Sequence, residues 1–152
     1  MSQIFVTKTP KGEKPPVPTG DAVFIEKSLR VLLVEDNEAD AYLIGKALAS
    51  NSKVTKVVRA RDGVEALDLV DTGKFRPDLA IVDLKMPRKD GFSLLLELKA
   101  RVTAEFPSFV LTSSRSGADT LRARKRGAVK FVTKPNTLEK LSVVVNQIVD
   151  AA

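Results

Sequence analysis

The sequence contains no cysteine and no histidine. Lacking thiols, the chain can form no disulfide, no thiolate metal site and no cysteine nucleophile. Lacking imidazole, it can build neither the usual catalytic triads nor histidine general bases, and most zinc sites are out of reach. Chemistry, if there is any, falls to Asp, Glu, Lys, Ser and Thr. Aromatic residues make up only 5% of the chain and tryptophan is absent, which leaves few rings for the stacking platforms that grip single-stranded nucleic acid. Long apolar runs are missing as well. The earliest, Ile4 to Val6, is far too short for a secretion signal, and nothing approaches the roughly 20 apolar residues of a membrane-spanning helix. These absences predict a soluble, cytoplasmic protein with no membrane insertion.

What is present suits one compact domain: 152 residues, 43% hydrophobic and 29% charged, can bury an ordinary core. The formal charge of +6 is concentrated in the first 30 residues and in the stretch holding Arg115, Arg122, Arg124, Lys125, Arg126 and Lys130. Such charge suits phosphate-bearing partners, but a basic run is more often a solvated helix face. With no recognisable reading helix, nucleic acid is an unfavoured partner. Residues 1–28 hold Pro10, Pro15, Pro16 and Pro18 with Gly12 and Gly20, the composition of a flexible N-terminal extension. The domain proper is expected over residues 29–152.

From Leu29 onward short β-branched runs alternate with helical spacing. The strands expected are Arg30 to Val34, Val54 to Ala60, Leu79 to Asp83, Phe109 to Thr112 and Val129 to Val132. Helical faces are marked by Ile44, Ala47 and Leu48; by Ala66, Leu67 and Val70; and by Phe92, Leu95, Leu96 and Val102. Asp90-Gly91 and Gly117-Ala118-Asp119 suit helix starts, and Asn136-Thr137 can cap a last helix with Leu138, Leu141, Val145 and Ile148 inward. Val143 and Val144 fall outside that stripe, as core or as a dimer face. Five strands each followed by a helix predict an α/β, doubly wound, flavodoxin-like parallel sheet of order two, one, three, four, five. Ligands of such sheets bind at the carboxyl ends of the strands beside the switch point, here the first and third.

Those two strands end in Val34-Glu35-Asp36 and Ile81-Val82-Asp83, so three acids converge on one crevice. Two unpaired carboxylates about 4 Å apart repel by roughly 4 kcal/mol at an effective dielectric near 20. A cation is therefore called for, and hard oxygen ligands favour magnesium, which keeps waters and leaves room for a phosphate. The fourth strand ends at Thr112 and the fifth leads into Lys134-Pro135, adding a hydroxyl and an ammonium to the same edge. A carboxylate nucleophile, a cation, an ammonium and a hydroxyl donor together suit acceptance of a phosphoryl group on Asp83, and an ionised carboxylate needs no general base.

The segments Leu33-Val34-Glu35-Asp36-Asn37, Val82-Asp83-Leu84-Lys85-Met86-Pro87 with Asp90-Gly91, Leu111-Thr112-Ser113-Ser114 and Lys134-Pro135 resemble, in order and spacing, the receiver domain of bacterial response regulators. The resemblance covers residues 30–150. It implies that Asp83 is the phospho-acceptor, that Glu35 and Asp36 hold Mg²⁺ with Asp83 and the backbone carbonyl of Lys85, and that Lys134 is the family's lysine. It also implies that Thr112 follows the phosphoryl group while Phe131 turns inward, a two-state switch. Glu35 stands where many relatives have Asp, one methylene longer. The expected partners are a sensor histidine kinase or phosphotransfer protein, with a homodimer through the fourth helix, fifth strand and fifth helix. Since nothing follows Ala152, a stand-alone receiver without an output domain is expected, acting through protein contacts and not an enzyme beyond its own phosphorylation and dephosphorylation. The alternative is a phosphorylation-independent scaffold or nucleic-acid-binding module. A phosphatase with an aspartyl nucleophile needs a second acid two residues on, where this chain has Lys85.

Overall fold

The computed structural model describes residues 3–6, 28–101 and 104–152. In chain order the elements are β1 (Gln3–Val6), β2 (Leu29–Val34), α1 (Glu38–Ala49), β3 (Val54–Ala60), α2 (Gly63–Asp71), β4 (Leu79–Val82), α3 (Gly91–Lys99), β5 (Ser108–Thr112), α4 (Gly117–Lys125), β6 (Ala128–Thr133) and α5 (Leu138–Ala151). The sheet runs β1-β3-β2-β4-β5-β6. Its five strands from β2 to β6 are parallel and follow the order expected from the sequence, two, one, three, four, five.

β1 is an addition that the sequence reading did not foresee, because proline and lysine dominate the stretch around it. It pairs antiparallel with β3, Gln3 opposite Arg59 and Val6 opposite Lys56. An outer parallel strand exposes a row of unpaired backbone groups, and a short apolar run is enough to pair with them. The rest of the expected extension up to Lys27 lies outside the described residues.

The central strands are apolar at successive positions because both faces are covered. Val31, Leu33, Val57 and Ile81 pack under α1 and α5; Leu32, Val34, Val58 and Val82 pack against α2 and α3. Helices begin where a side chain can accept a backbone N–H: Asn37, Asp62, Asp90, Ser116 and Thr137 are the N-caps, each supplying an oxygen to the otherwise unpaired first turn. Two helical faces differ from expectation: that of α3 is rotated, while that of α5 keeps Leu141, Val145 and Ile148 but lies further toward its C-terminal end. In α3 the inward residues are Phe92, Leu94, Leu95 and Leu98, while Leu96 is exposed; Val102 lies outside the described residues. In α5 Leu138 is exposed at the first turn and Val149 is buried in its place. Val144 packs on the core and Val143 is exposed. Among the described residues no helix is long and apolar enough to cross a membrane.

Candidate functional site

Adjacent parallel strands β2 and β4 are in register at Val34 and Val82, and the Asp83 amide donates to the Val34 carbonyl at 3.0 Å. Glu35 and Asp83 therefore leave the sheet side by side, and Asp36 follows one residue later. One oxygen from each of Glu35, Asp36 and Asp83 lies within 4.8 Å of the others. Glu35 and Asp83 are buried and Asp36 is exposed, so the cluster is a pit with one solvent-facing wall.

Lys134 closes the pit from the β6 side. Its ammonium pairs with Glu35 Oε1, donates to Asp40 Oδ2 at 2.9 Å and reaches Asp83 Oδ2 at 3.4 Å. The lysine is aimed by its own backbone, whose N–H donates to the Thr112 carbonyl at 2.7 Å. Thr112 is itself buried at the end of β5. Asp83 Oδ1 accepts from the Leu84 amide at 2.8 Å, which leaves Oδ2 as the oxygen facing the lysine.

Position 91 admits only glycine: a Cβ there would stand 2.2 Å from the Asp83 carbonyl oxygen. The first turn of α3 thus lies directly against the main chain of the candidate acceptor. Arg88, in the intervening loop, has a positive φ of 62° and donates to Asp62 Oδ2 at 2.6 Å, tying this loop to the start of α2. Lys85 is exposed in the same loop. Phe131 is half-buried on β6 and packs against the cluster of Leu84, Phe92, Val110 and Ala123.

Burial, reinforced by the neighbouring Asp83 carboxylate, pushes the Glu35 carboxyl up to about 8 despite the opposing pull of Lys134. Burial would lower the Lys134 ammonium, but its bonds to Glu35 and Asp40 outweigh that and hold it protonated, above the usual lysine range. Glu35 Oε2 is buried with no hydrogen-bond partner. An orphaned carboxylate oxygen costs desolvation with nothing in return. Beside two further carboxylates in an all-oxygen pit, it fits a hard divalent cation, and Glu35, Asp36 and Asp83 are the residues that would hold one.

Asp40 was not singled out in the sequence, although its contact with Lys134 makes it part of the site. Its signal was the spacing Asn37 to Asp40, the N-cap and third helical position of α1, where the Asp40 amide donates to Asn37 Oδ1 at 2.9 Å. Arg59 was missed altogether. It is fully buried and donates to the Glu35 carbonyl, and nothing in a strand sequence tells an inward arginine from an edge one.

Comparison with known proteins extends this picture. A probable methanogenesis regulatory protein, FilR2, of Methanothrix harundinacea is 34% identical over 136 residues, covering 86% of this chain and 87% of its own. A protein-glutamate methylesterase/protein-glutamine glutaminase of Symbiobacterium thermophilum is 37% identical over 114 residues, but the match spans only 30% of that protein. Similarly, the chain spans 47% of the response regulator MprA of Mycobacterium bovis. Among solved structures, the phosphorylated cyanobacterial phytochrome response regulator RcpA superposes with a TM-score of 0.75 at 35% identity, over 80% of this chain and 91% of that one. The Mn²⁺-bound response regulator Rcp1 gives 0.72 at 29% identity, over 79% and 91%. The response regulator receiver domain model matches residues 31–146. With the acid pit, the lysine and the sheet order all in the same frame, the chain belongs to the response regulator receiver domain family.

Proposed function

We propose that residues 29–152 form a phospho-accepting receiver that takes a phosphoryl group on Asp83 from a histidine kinase or phosphotransfer protein, in a Mg²⁺-dependent reaction, and signals in the cytoplasm through altered protein contacts. The observation that carries this reading is the convergence of Glu35, Asp36 and Asp83 with Lys134 on one strand edge, with one buried carboxylate oxygen left unpartnered. Asp83 Oδ2 attacks phosphorus in line as the P–N bond of the donor's phosphohistidine breaks. Lys134 holds a positive charge beside the incoming phosphoryl oxygens, and the Thr112 hydroxyl donates to one of them. Glu35, Asp36 and Asp83, with the backbone carbonyl of Lys85, would hold the Mg²⁺. When bound, the ion offsets negative charge between carboxylates and phosphoryl group. Drawing Thr112 toward the phosphoryl group would free space for Phe131, which already rests on the α3–α4 cluster.

The output surface in this reading is α4, β6 and α5, where Leu121, Val129, Leu138 and Val143 are exposed among Arg122, Arg124, Lys125 and Lys130. That pattern supports a homodimer or an acidic protein partner. Stand-alone action is supported by FilR2, whose length the match nearly spans. The test is incubation with Mg²⁺ and acetyl phosphate followed by intact-mass measurement. One alkali-labile phosphoryl adduct is expected on the wild-type chain and none on Asp83→Asn. No adduct on the wild type, with no beryllium fluoride binding, would refute the reading; undiminished labelling of the variant would move the acceptor elsewhere.

A further inference from the structure

We propose that Arg59 is a positioning residue for the metal-holding acid pair: its buried guanidinium fixes the main chain of Glu35 and Asp36 so that their carboxylates face the ion. This rests on the phospho-acceptor reading above.

Arg59 is on β3 with its side chain 0% exposed. Its strand neighbours Val57 and Val58 are aliphatic and buried in the two cores, so an aliphatic residue at this position would suit the strand. A buried guanidinium is expensive unless its donors are satisfied. Three of its bonds go to one short segment: Nε donates to the Glu35 carbonyl at 3.0 Å, a terminal nitrogen to the Asp36 carbonyl at 3.2 Å, and the other to Glu38 Oε2 at 2.9 Å. The Glu35 amide in turn donates to the Ala60 carbonyl at 3.0 Å. Both main-chain polar groups of Glu35 are thus held by β3, one by backbone and one by the arginine.

Three donors in a rigid plane fix the angle between successive carbonyls, which a lysine ammonium on a flexible stem cannot do. The antiparallel strand β1 passes beside this residue, Gln3 opposite Arg59, so the clamp sits under an added strand and not at an open edge. Groups that orient metal ligands without touching the metal typically change affinity by roughly 10- to 100-fold.

Charge and positioning make opposite predictions. As a charge alone, Arg59 repels the ion, and its neutralisation would tighten binding. As a clamp, its loss would weaken binding. Mn²⁺ binding by the full chain, followed by electron paramagnetic resonance of the free ion, separates the two for Arg59→Lys, Arg59→Gln and Glu38→Gln. Melting in chelator and amide NMR shifts of Glu35 and Asp36 report on the fold and on the loop. Arg59→Lys and Arg59→Gln should each weaken Mn²⁺ by about tenfold or more, with loop amides shifted and the remaining spectrum native. Glu38→Gln, which leaves Arg59 in place, should weaken it less than threefold, and it keeps the test open if an Arg59 variant fails to fold. Unchanged or tighter Mn²⁺ binding in a folded Arg59 variant overturns the proposal, as does Glu38→Gln binding as weakly as an Arg59 variant. A wild-type chain that binds no Mn²⁺ overturns the underlying site assignment instead.

Discussion

The two flanks of the sheet are built differently. On one, α1 buries Ala41, Ile44, Gly45, Ala47 and Leu48 against β2, β3 and α5. On the other, α4 buries only Ala123, and the strand beside it, β6, is mostly exposed or half-buried. The first flank carries the acid pair, anchored through Arg59. The second carries the exposed basic face and joins the site through Thr112, the Ser114 loop and Lys134. A local perturbation at the strand edge moves whichever side holds the fewest buried contacts. In the proposed reading the contrast makes the α1 side the fixed one, which would hold the ion, and the α4 side the yielding one, which would respond.

Cavity mutations should expose this difference most strongly. Leu48→Ala, in the filled flank, should cost about 2–5 kcal/mol, whereas Leu121→Ala, on the exposed face of α4, should stay within about 0.5 kcal/mol. Urea unfolding followed by circular dichroism measures both. Equal losses would erase the distinction between flanks.

Next in size is Gly91→Ala. The new methyl group meets the Asp83 carbonyl and the Leu84 Cα, at 2.2 and 2.7 Å, both backbone atoms. Overpacking of this kind costs roughly 1–3 kcal/mol and pushes Asp83 out of register with Glu35. Lowered stability together with lost phosphoryl acceptance is expected. Wild-type labelling in this variant would show that the β4–α3 junction is not on the fixed side.

The architecture was legible in the sequence because both signals it uses are local: β-branched runs for strands and apolar helical spacing between them, with Asp90 and Thr137 readable as polar caps before α3 and α5. Glu35, Asp36, Asp83, Thr112 and Lys134 were legible as strand-end residues, since topology alone brings strand ends together. Less could be read where the outcome depends on tertiary partners. Leu96 fits an apolar stripe, yet faces solvent because α3 is rotated to seat Leu94 and Leu98, and Leu138 is exposed because it lies in the first turn of α5, at the end of a stripe that runs on to Val149. Arg59 resembles any charged strand residue until the loop that its donors satisfy is folded against it. β1 needed the free edge of β3, which no window of sequence displays.

The pH response sharpens the fixed side. Glu35, raised to about 8 by burial and Asp83, has an ordinary value of 4.5. The folded chain therefore keeps a proton that the unfolded chain has released. That contribution is complete below pH 4.5 and is lost as pH rises to about 8. In chelator the melting temperature should fall across this window. The chain has no histidine to titrate there. Added Mg²⁺ should release a proton on binding, and its stabilising effect should grow with pH. A melting temperature in chelator that rises from pH 5 to pH 8 would remove the protonated Glu35 from the account.

Ser114 should give the smallest effect and the most local one. Its hydroxyl donates to Asp119 Oδ2 at 2.6 Å and accepts from the Ser116 amide at 3.2 Å, while its carbonyl accepts from the Thr133 hydroxyl at 2.9 Å. The residue thus joins the loop after Thr112 to the first turn of α4 and to β6. Ser114→Ala removes the two hydroxyl bonds and keeps the carbonyl one, a loss of about 1 kcal/mol. On a flank held by so few buried contacts, that loss should appear as faster hydrogen exchange in α4 and little change in α1 or β2. If protection fell equally in α1, the two flanks would be one cooperative unit, and the responding side would have to be sought elsewhere.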